Sequence, residues 1–336
     1  MRYGLGVGAN VAVAEGAVQR SRPLVGIVVA TFNRAKLVSR AIESALDQTY
    51  PNVRVVVVDD GSTDDTPAVL QRYATNEKIR LLRHAENRGA TASFNTGLSG
   101  LGDAQFFALL GSDDALRPDA VESLVRVFEV DLDRFSLAAG WAQDMHSRTT
   151  TGSMRHLRAR EGMINLEDAV TGSWVGDFWV LARRDLLGDV RFEERATTSE
   201  GAVWWRLLRL RPGWLVPQVL LEVDRTGADR LSLPSYTPTS ALRMMWSRKT
   251  ELDAGGKDLR RANPGSYAGK LAEMAKWAAL AGEGRRARAA SRQSLRVAPT
   301  LRGILMVPIS TLPPSLLRPM IQIWRRLRGR VGEFRP

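Results

Sequence analysis

Apolar residues fall along this chain in two patterns that take turns. Val53 to Val58, inside Asn52-Val-Arg-Val-Val-Val-Val-Asp59-Asp60-Gly61, is an almost unbroken β-branched run. A run with no polar alternation reads as a strand buried on both faces, and so as part of a parallel sheet. Leu24 to Ala30, Ile79 to Leu82 and Phe106 to Leu110 read the same way, with Leu137 to Gln143 and Trp174 to Arg183 as further short strands. Helical spacing fills the gaps. After Thr31-Phe32-Asn33-Arg34, the apolar positions Leu37, Ile42, Ala45 and Leu46 predict a helix that stops before Pro51, since proline disfavours helix in the residue preceding it. Ser62 or Thr63 can cap a helix with Asp64, Asp65 and Pro67 in its first turn, running to about Thr75, where caps, acids and proline are favourable. Asn87-Arg88-Gly89 opens a helix from Ala90 to about Leu98, and Pro118 to Phe128 and Val203 to Leu210 are two more. Strands alternating with helices predict a doubly wound, mostly parallel α/β sheet. Beyond a Pro/Ser/Thr-rich stretch at Ser232 to Ser240 the pattern turns helical, with helices at Tyr267 to Leu280 and Arg285 to Val297 around an Ala281-Gly282-Glu283-Gly284 turn. The expected organisation is a leader at 1–22, an α/β domain at 23–235 and a C-terminal α-helical extension at 236–336.

The strand ends carry the candidate chemistry. Asp59-Asp60 follows one buried strand, and Asp113-Asp114 follows another about 50 residues later. Ligands of open α/β sheets bind beyond the carboxyl ends of the strands, so two carboxylate pairs at one sheet edge suit a divalent cation and a phosphorylated ligand. No G-x-G-x-x-G follows the first strand, which excludes the usual dinucleotide fingerprint.

Composition narrows the options. The chain has 336 residues, 44% hydrophobic and 25% charged, enough for one large or two modest domains. It has no cysteine, which excludes disulfides, thiolate metal sites and a thiol nucleophile. His84, His146 and His156 lack metal-ligand spacing. The net charge of +12 is uneven: Ala241 to Pro336 carries 20 Lys and Arg against 6 Asp and Glu. Such a block attracts anionic membrane surface or nucleic acid. Nucleic acid is the less expected partner, because no recognition motif and few aromatics accompany the arginines.

The succession VGIVVATFNRAKLVSRAIESALDQTYPNVRVVVVDDGSTDDT, ENRGATASFNTGL and FFALLGSDDALRPDAV resembles the family 2 inverting glycosyltransferases with the Rossmann-like GT-A fold, over about Pro23 to Leu210. The resemblance implies transfer from a nucleotide-sugar donor, of UDP or dTDP type, to a hydroxyl of a glycan, lipid-linked or small-molecule acceptor. It implies that Ala30, Thr31 and Phe32 contact the nucleoside, that Asp60 accepts from a uracil imide N–H, and that Arg88 lies near the nucleotide. Asp113 takes the ribose side and, with Asp114, the cofactor Mg²⁺ or Mn²⁺. The family's leading Asp-x-Asp position is Gly111 here. The family's base lies in a Glu-Asp pair before a helix; here Glu200 matches the first acid and Gly201 stands at the second. Glu200 is the expected base, with Asp177 as the alternative. Trp174, Trp179, Trp204 and Trp205 could stack on sugar rings or pack a core. The competing expectation is a non-catalytic sugar-nucleotide-binding or scaffolding subunit that has lost the base at Gly201.

The N-terminus has no sustained apolar core and contains Glu15, so it reads as a loose leader and not a signal peptide. Ile304 to Ile323 is broken by four prolines and reads as too interrupted to span a bilayer. Leu317, Met320, Ile321, Trp324, Leu327 and Val331 predict an apolar stripe with Arg325, Arg326, Arg328 and Arg330 around it. A basic amphipathic helix suits a membrane interface. The expectation is a cytoplasmic protein attached peripherally to the inner face of the membrane, with docking on the protein's own domain as the alternative.

Overall fold

The computed structural model describes residues 22–151, 153–154, 161–172, 174–226, 236–317 and 319–320. The expected leader, His156, part of the Pro/Ser/Thr-rich stretch and the stripe beyond Met320 lie outside them.

The first third follows the predicted alternation: β1 (Val25–Thr31), α1 (Val38–Leu46), β2 (Val53–Asp59), α2 (Thr66–Gln71), β3 (Ile79–Arg83), α3 (Ala90–Gly100) and β4 (Phe106–Gly111). A two-residue β5 (Ala115–Leu116), α4 (Ala120–Val130) and β6 (Leu137–Asp144) come next. Short pieces then follow: β7 (Ser153–Met154), β8 (Gly162–Ile164), α5 (Leu166–Val170) and β9 (Trp174–Val175). β10 (Phe178–Arg183), α6 (Glu200–Leu210) and β11 (Gly213–Val223) complete the α/β part. The main sheet runs β3-β2-β1-β4-β10-β6-β11-β5, with β8 beside β11. Its β3-β2-β1-β4 half is parallel, and β10 runs antiparallel to β4 and β6. The fold is therefore mixed α/β with a mostly parallel core.

The β-branched runs have the predicted cause. Val25, Ile27, Val29, Val53, Val55 and Val57 pack with Ile42 of α1 and Leu124 of α4. Their neighbours Val28, Val56 and Val58 pack with Leu98 of α3 and Leu207 of α6 on the opposite face. Successive side chains of a strand point to opposite faces, so a sheet covered on both faces needs every position apolar.

Two elements depart from the predicted pattern. Trp174 to Arg183 is split into β9 and β10 at Gly176, whose φ is 93°, and Asp177 sits in the resulting turn. The 11-residue β11 is not among the predicted strands, because Pro217 and Gln218 interrupt its apolar run. The pairing with β6 shifts register at those residues, and proline is tolerated in sheets at such bulges.

The C-terminal part is α7 (Pro238–Ala262), α8 (Pro264–Ala281), α9 (Gly284–Val297) and α10 (Leu301–Ile309). α8 and α9 match the predicted hairpin. The 25-residue α7 does not appear in the pattern, since Gly255-Gly256 reads as a breaker. Here the glycine serves packing. A Cβ on Gly255 would stand 2.5 Å from Trp205 Cε3 and 2.8 Å from Val170 Cγ1, so only glycine lets α7 lie this close to α5 and α6. Leu317 is 2% exposed and packs with Met245, Trp277 and Leu280. This corrects the predicted stripe at its first position: Leu317 belongs to the helical core, whereas Met320 is exposed.

Gly255→Ala is expected to destabilise the protein by about 1–3 kcal/mol, the usual cost of overpacking. Urea unfolding measures it; an unchanged or raised midpoint would show that the seam between α6 and α7 does not need the missing methyl.

Candidate active site

The carboxyl ends of β1, β2, β4 and β11 meet around a cavity of about 730 Å³, lined by Ala30, Thr31, Phe32, Asp60, Asp113, Asp114 and Asp224 among others. The loops after β1 and β2 brace one another: Asn33 Oδ1 accepts from the Thr63 N–H at 2.8 Å, and the Asn33 N–H donates to Ser62 Oγ at 2.9 Å. The two acids after β2 do different work. Asp59 Oδ1 accepts from the Ser62 N–H at 2.9 Å and shapes the turn. Asp60, 3% exposed, gathers donors from across the sheet edge. Its Oδ1 accepts from His84 Nδ1 at 2.7 Å and the Arg88 N–H at 2.9 Å, and its Oδ2 from the Gly89 N–H at 2.7 Å. His84 Nε2 lies 2.9 Å from Thr96 Oγ1, so the histidine is the satisfied kind expected of a non-ligand.

Asp113 and Asp114 fold back over the end of β4. A Cβ on Gly111 would lie 2.7 Å from Asp114 Oδ2 and 3.1 Å from Asp113 Oδ1. Two carboxylate oxygens therefore converge above the bare glycine, and a side chain at the family's leading acid position would displace them. Burial first, and the Asp113 charge second, push the Asp114 carboxyl up to about 8, against the Asp224 N–H that donates to it at 3.2 Å. A hard divalent cation inverts that electrostatic balance and takes oxygen ligands, so the pair fits Mg²⁺ or Mn²⁺. Among the described residues no cluster of three or more His, Cys, Asp or Glu can hold a metal. The protein would supply the two carboxylates, and a bound ligand and water the remaining positions.

A second cavity, of about 1260 Å³, lies between the sheet and the C-terminal helices and shares Phe94, Gly111, Asp114, Asp177 and Val223 with the first. Glu200, the first residue of α6, lines only this one. Burial pushes its carboxyl above the ordinary glutamate range, offset in part by nearby backbone N–H groups. It has no cation partner among the described residues, whereas Asp177 is paired with Arg225. A Cβ on Gly201 would meet nothing within 4 Å, so the second acid of the family pattern is absent from open space. Trp179 is core, 1% exposed, with Nε1 donating to the Leu109 carbonyl at 3.2 Å. Trp205 packs on α7. Trp204 stacks on Phe107 with ring centroids 5.8 Å apart and lines the second cavity.

Of the residues predicted for the nucleotide, the structure brings Ala30, Thr31, Phe32, Asp60 and Asp113 to the first cavity. It does not bring the Arg88 side chain there: the guanidinium pairs with Glu194 at 3.0 Å, and only the backbone N–H of Arg88 faces Asp60. Asp224, Arg225 and Arg243 are among the further lining residues that carried no sequence prediction. Asp224 had a readable signal, an acid ending the Leu220 to Val223 run. Thr226 first, with Arg40 and His146, holds its carboxyl well below the usual carboxylate range. Arg243 had none, being on α7.

This mixed α/β arrangement, with carboxylates at the strand ends, is a GT-A-like fold. The same fold is seen in S. aureus TarS, residues 1–349, in complex with UDP-GlcNAc, with TM-score 0.56, 16% identity, and coverage of 81% of this chain and 89% of that one. It is seen again in the mannosyltransferase PcManGT from Pyrobaculum calidifontis in complex with GDP-Man and Mn²⁺, with TM-score 0.53, 18% identity and coverage of 91% and 88%. Chondroitin synthase of Escherichia coli is 40% identical over 119 residues, which is 35% of this chain and 17% of that protein's own length. The family profile described as Glycosyl transferase family 2 matches residues 26–189. Residues 26–189 thus carry a domain of that family.

Proposed function

We propose that this protein is a metal-dependent, inverting glycosyltransferase that moves a sugar from a nucleoside-diphosphate donor to an acceptor hydroxyl in glycan, glycolipid or glycosylated-metabolite synthesis. The observation that carries this reading is the meeting of two cavities at Asp114 and Asp177. A donor in the first cavity and an acceptor in the second would bring their reacting atoms together at that boundary. The ligands bound to the two structural neighbours, UDP-GlcNAc in one and GDP-Man with Mn²⁺ in the other, support a donor of this class. Chondroitin synthase supports a role in polysaccharide synthesis.

Asp113 and Asp114 would hold the cation, which when bound neutralises the charge developing on the diphosphate leaving group. Asp60 and the ends of β1 and β4 bind and orient the nucleoside. Glu200 takes the proton from the acceptor hydroxyl as its oxygen attacks the anomeric carbon and the bond to the diphosphate breaks on the opposite face. A carboxyl raised toward neutrality is the better base at neutral pH. The open space at Gly201 favours one other reading, a sugar-nucleotide-binding subunit without turnover, and the tests below separate the two.

Asp114→Asn is expected to lower turnover by about 10² or more, on the several kcal/mol that such charge stabilisation supplies; full activity in EDTA would overturn metal dependence. Glu200→Gln should lower kcat by about 10²–10⁴ and spare donor KM. A base must be deprotonated, so the acid limb of wild-type kcat should lie above the ordinary glutamate range and vanish in Glu200→Gln. Normal turnover in that variant would move the base to Asp177. No turnover by the wild type with Mn²⁺, despite tight donor binding, would favour the non-catalytic reading.

The same proposal has a membrane component. No helix among the described residues is long and apolar enough to cross a bilayer. Leu301, Ile304, Leu305, Leu316 and Met320 are each more than half exposed, and Arg325, Arg326, Arg328 and Arg330 follow them in the chain. Apolar side chains beside arginines suit peripheral attachment to the anionic cytoplasmic leaflet, each basic residue contributing about 1 kcal/mol. Truncation after Met320, which keeps Leu317 in its core, should abolish sedimentation with anionic liposomes and preserve activity on a soluble acceptor. Failure of the intact chain to bind those liposomes at low salt would refute attachment.

A further inference from the structure

The second cavity has two unlike walls. The side it shares with the first cavity is acidic: Asp114 and Asp177 line it there, and Glu200 lines it from the start of α6. The opposite wall is made by α7, α8 and α10, outside the family-matched segment, and it carries Arg248, Lys270 and Arg302.

The cations of that wall outnumber its carboxylates, Glu251 and Glu273. Glu251 accepts from Arg248 Nη1 at 2.7 Å and from Lys270 Nζ at 2.8 Å, and Glu273 pairs with Arg248 Nε at 3.1 Å. Lys270 keeps two N–H donors beyond the one it gives to Glu251. Arg302 lines the cavity with no carboxylate partner among the described residues. Lys276, three residues beyond Glu273 on α8, adds a further positive charge. Burial lowers its ammonium first, Glu273 raises it, and the charges of Arg248 and Arg302 lower it again.

The wall also leaves room in front of these charges. Gly265, Ser266, Gly269 and Lys270 line the cavity at helical spacing along α8. A Cβ on Gly269 would meet nothing within 4 Å. Glycine is unfavourable in a helix interior, and no packing contact calls for it at this position; what the missing side chain provides is open space. A neutral sugar has no need of a surplus of cations. A saccharide with a hydroxyl at one end and an anionic group at the other fits such a cavity in a single direction, its anion repelled by the acidic side and drawn to the helices.

We propose that the acceptor is an anionic saccharide, whose carboxylate or phosphate is held by Arg302 and Lys270 while its hydroxyl end faces Asp114 and Glu200. This rests on the acceptor reading of the second cavity given above.

The test is calorimetric titration into the full chain, with UDP and Mn²⁺ present and UDP affinity measured in parallel. The probes are cellotetraose and the same tetrasaccharide carrying a carboxylate or a phosphate on its terminal ring. One of the charged probes should bind at least about tenfold tighter than the neutral one, and the tighter of the two identifies the anion. Arg302 is exposed, so Arg302→Ala should leave thermal unfolding unchanged. It should weaken the charged probe about tenfold, the value of one hydrogen bond to a charged group, and the neutral probe less than about twofold. Gly269→Leu, which fills the open space, should abolish binding of the charged probe and spare UDP. Equal or tighter binding of the neutral probe, no binding of any probe, or no selective loss in Arg302→Ala would overturn the inference. So would undiminished binding in Gly269→Leu, which would put the anion elsewhere on this basic chain. The expected probe results without any binding of UDP would support the anionic preference and remove the donor reading instead.

Discussion

The buried carboxylate of Asp60 is the constraint on which the site depends. An ionised carboxylate can be buried only if its lone pairs are filled, and the sequence offers no lysine or arginine side chain to it within the family segment. Two backbone amides and an imidazole do so instead. The imidazole is held in turn by Thr96 on α3. The end of β2, the loop before α3 and α3 itself are thereby fixed to one another. The position of the cavity wall follows from satisfying a single side chain, and Arg243 finds its place only because that wall presents the Arg88 carbonyl and the bare Gly89.

Much of this was legible in the residues. The β-branched runs predicted β1, β2 and β4 because both faces of a central strand are buried, and burial leaves no polar position to confuse the period. The acids at the strand ends were legible for the same reason, standing where the apolar run stops. Legibility failed where tertiary packing overrides local propensity. Gly255-Gly256 reads as an end to a helix, yet α7 continues through it because Trp205 and Val170 occupy the space a side chain would need. Pro217 hid the length of β11, although the acid after its last apolar run, Asp224, was readable. The family resemblance placed Arg88 near the nucleotide, but Glu194, over 100 positions later, claims its guanidinium. Contacts of that sequence separation leave no local signature.

The acidic positions show why spacing is weaker than geometry as a guide. Gly111 and Gly201 both stand where the family pattern has an acid, and the two glycines are not equivalent. At Gly111 the oxygens of the next two acids fill the vacated space, so two carboxylates still converge at the end of β4. At Gly201 the space stays open, and Glu200 is the one acid of that pair that remains.

The attachment of α7 has a further consequence. Ser247 Oγ accepts from the Thr197 N–H at 3.1 Å, Arg243 holds the Arg88 carbonyl, and Trp246 lies against the guanidinium of Arg195 at 3.5 Å and that of Arg286 on α9 at 5.3 Å. One turn of helix thus touches both loops that flank the first cavity. The segment recognisable as the family domain is therefore not a cassette. Recombination that exchanged residues 26–189 between relatives would carry most of the sheet but leave behind β11 and the helix that braces its loops.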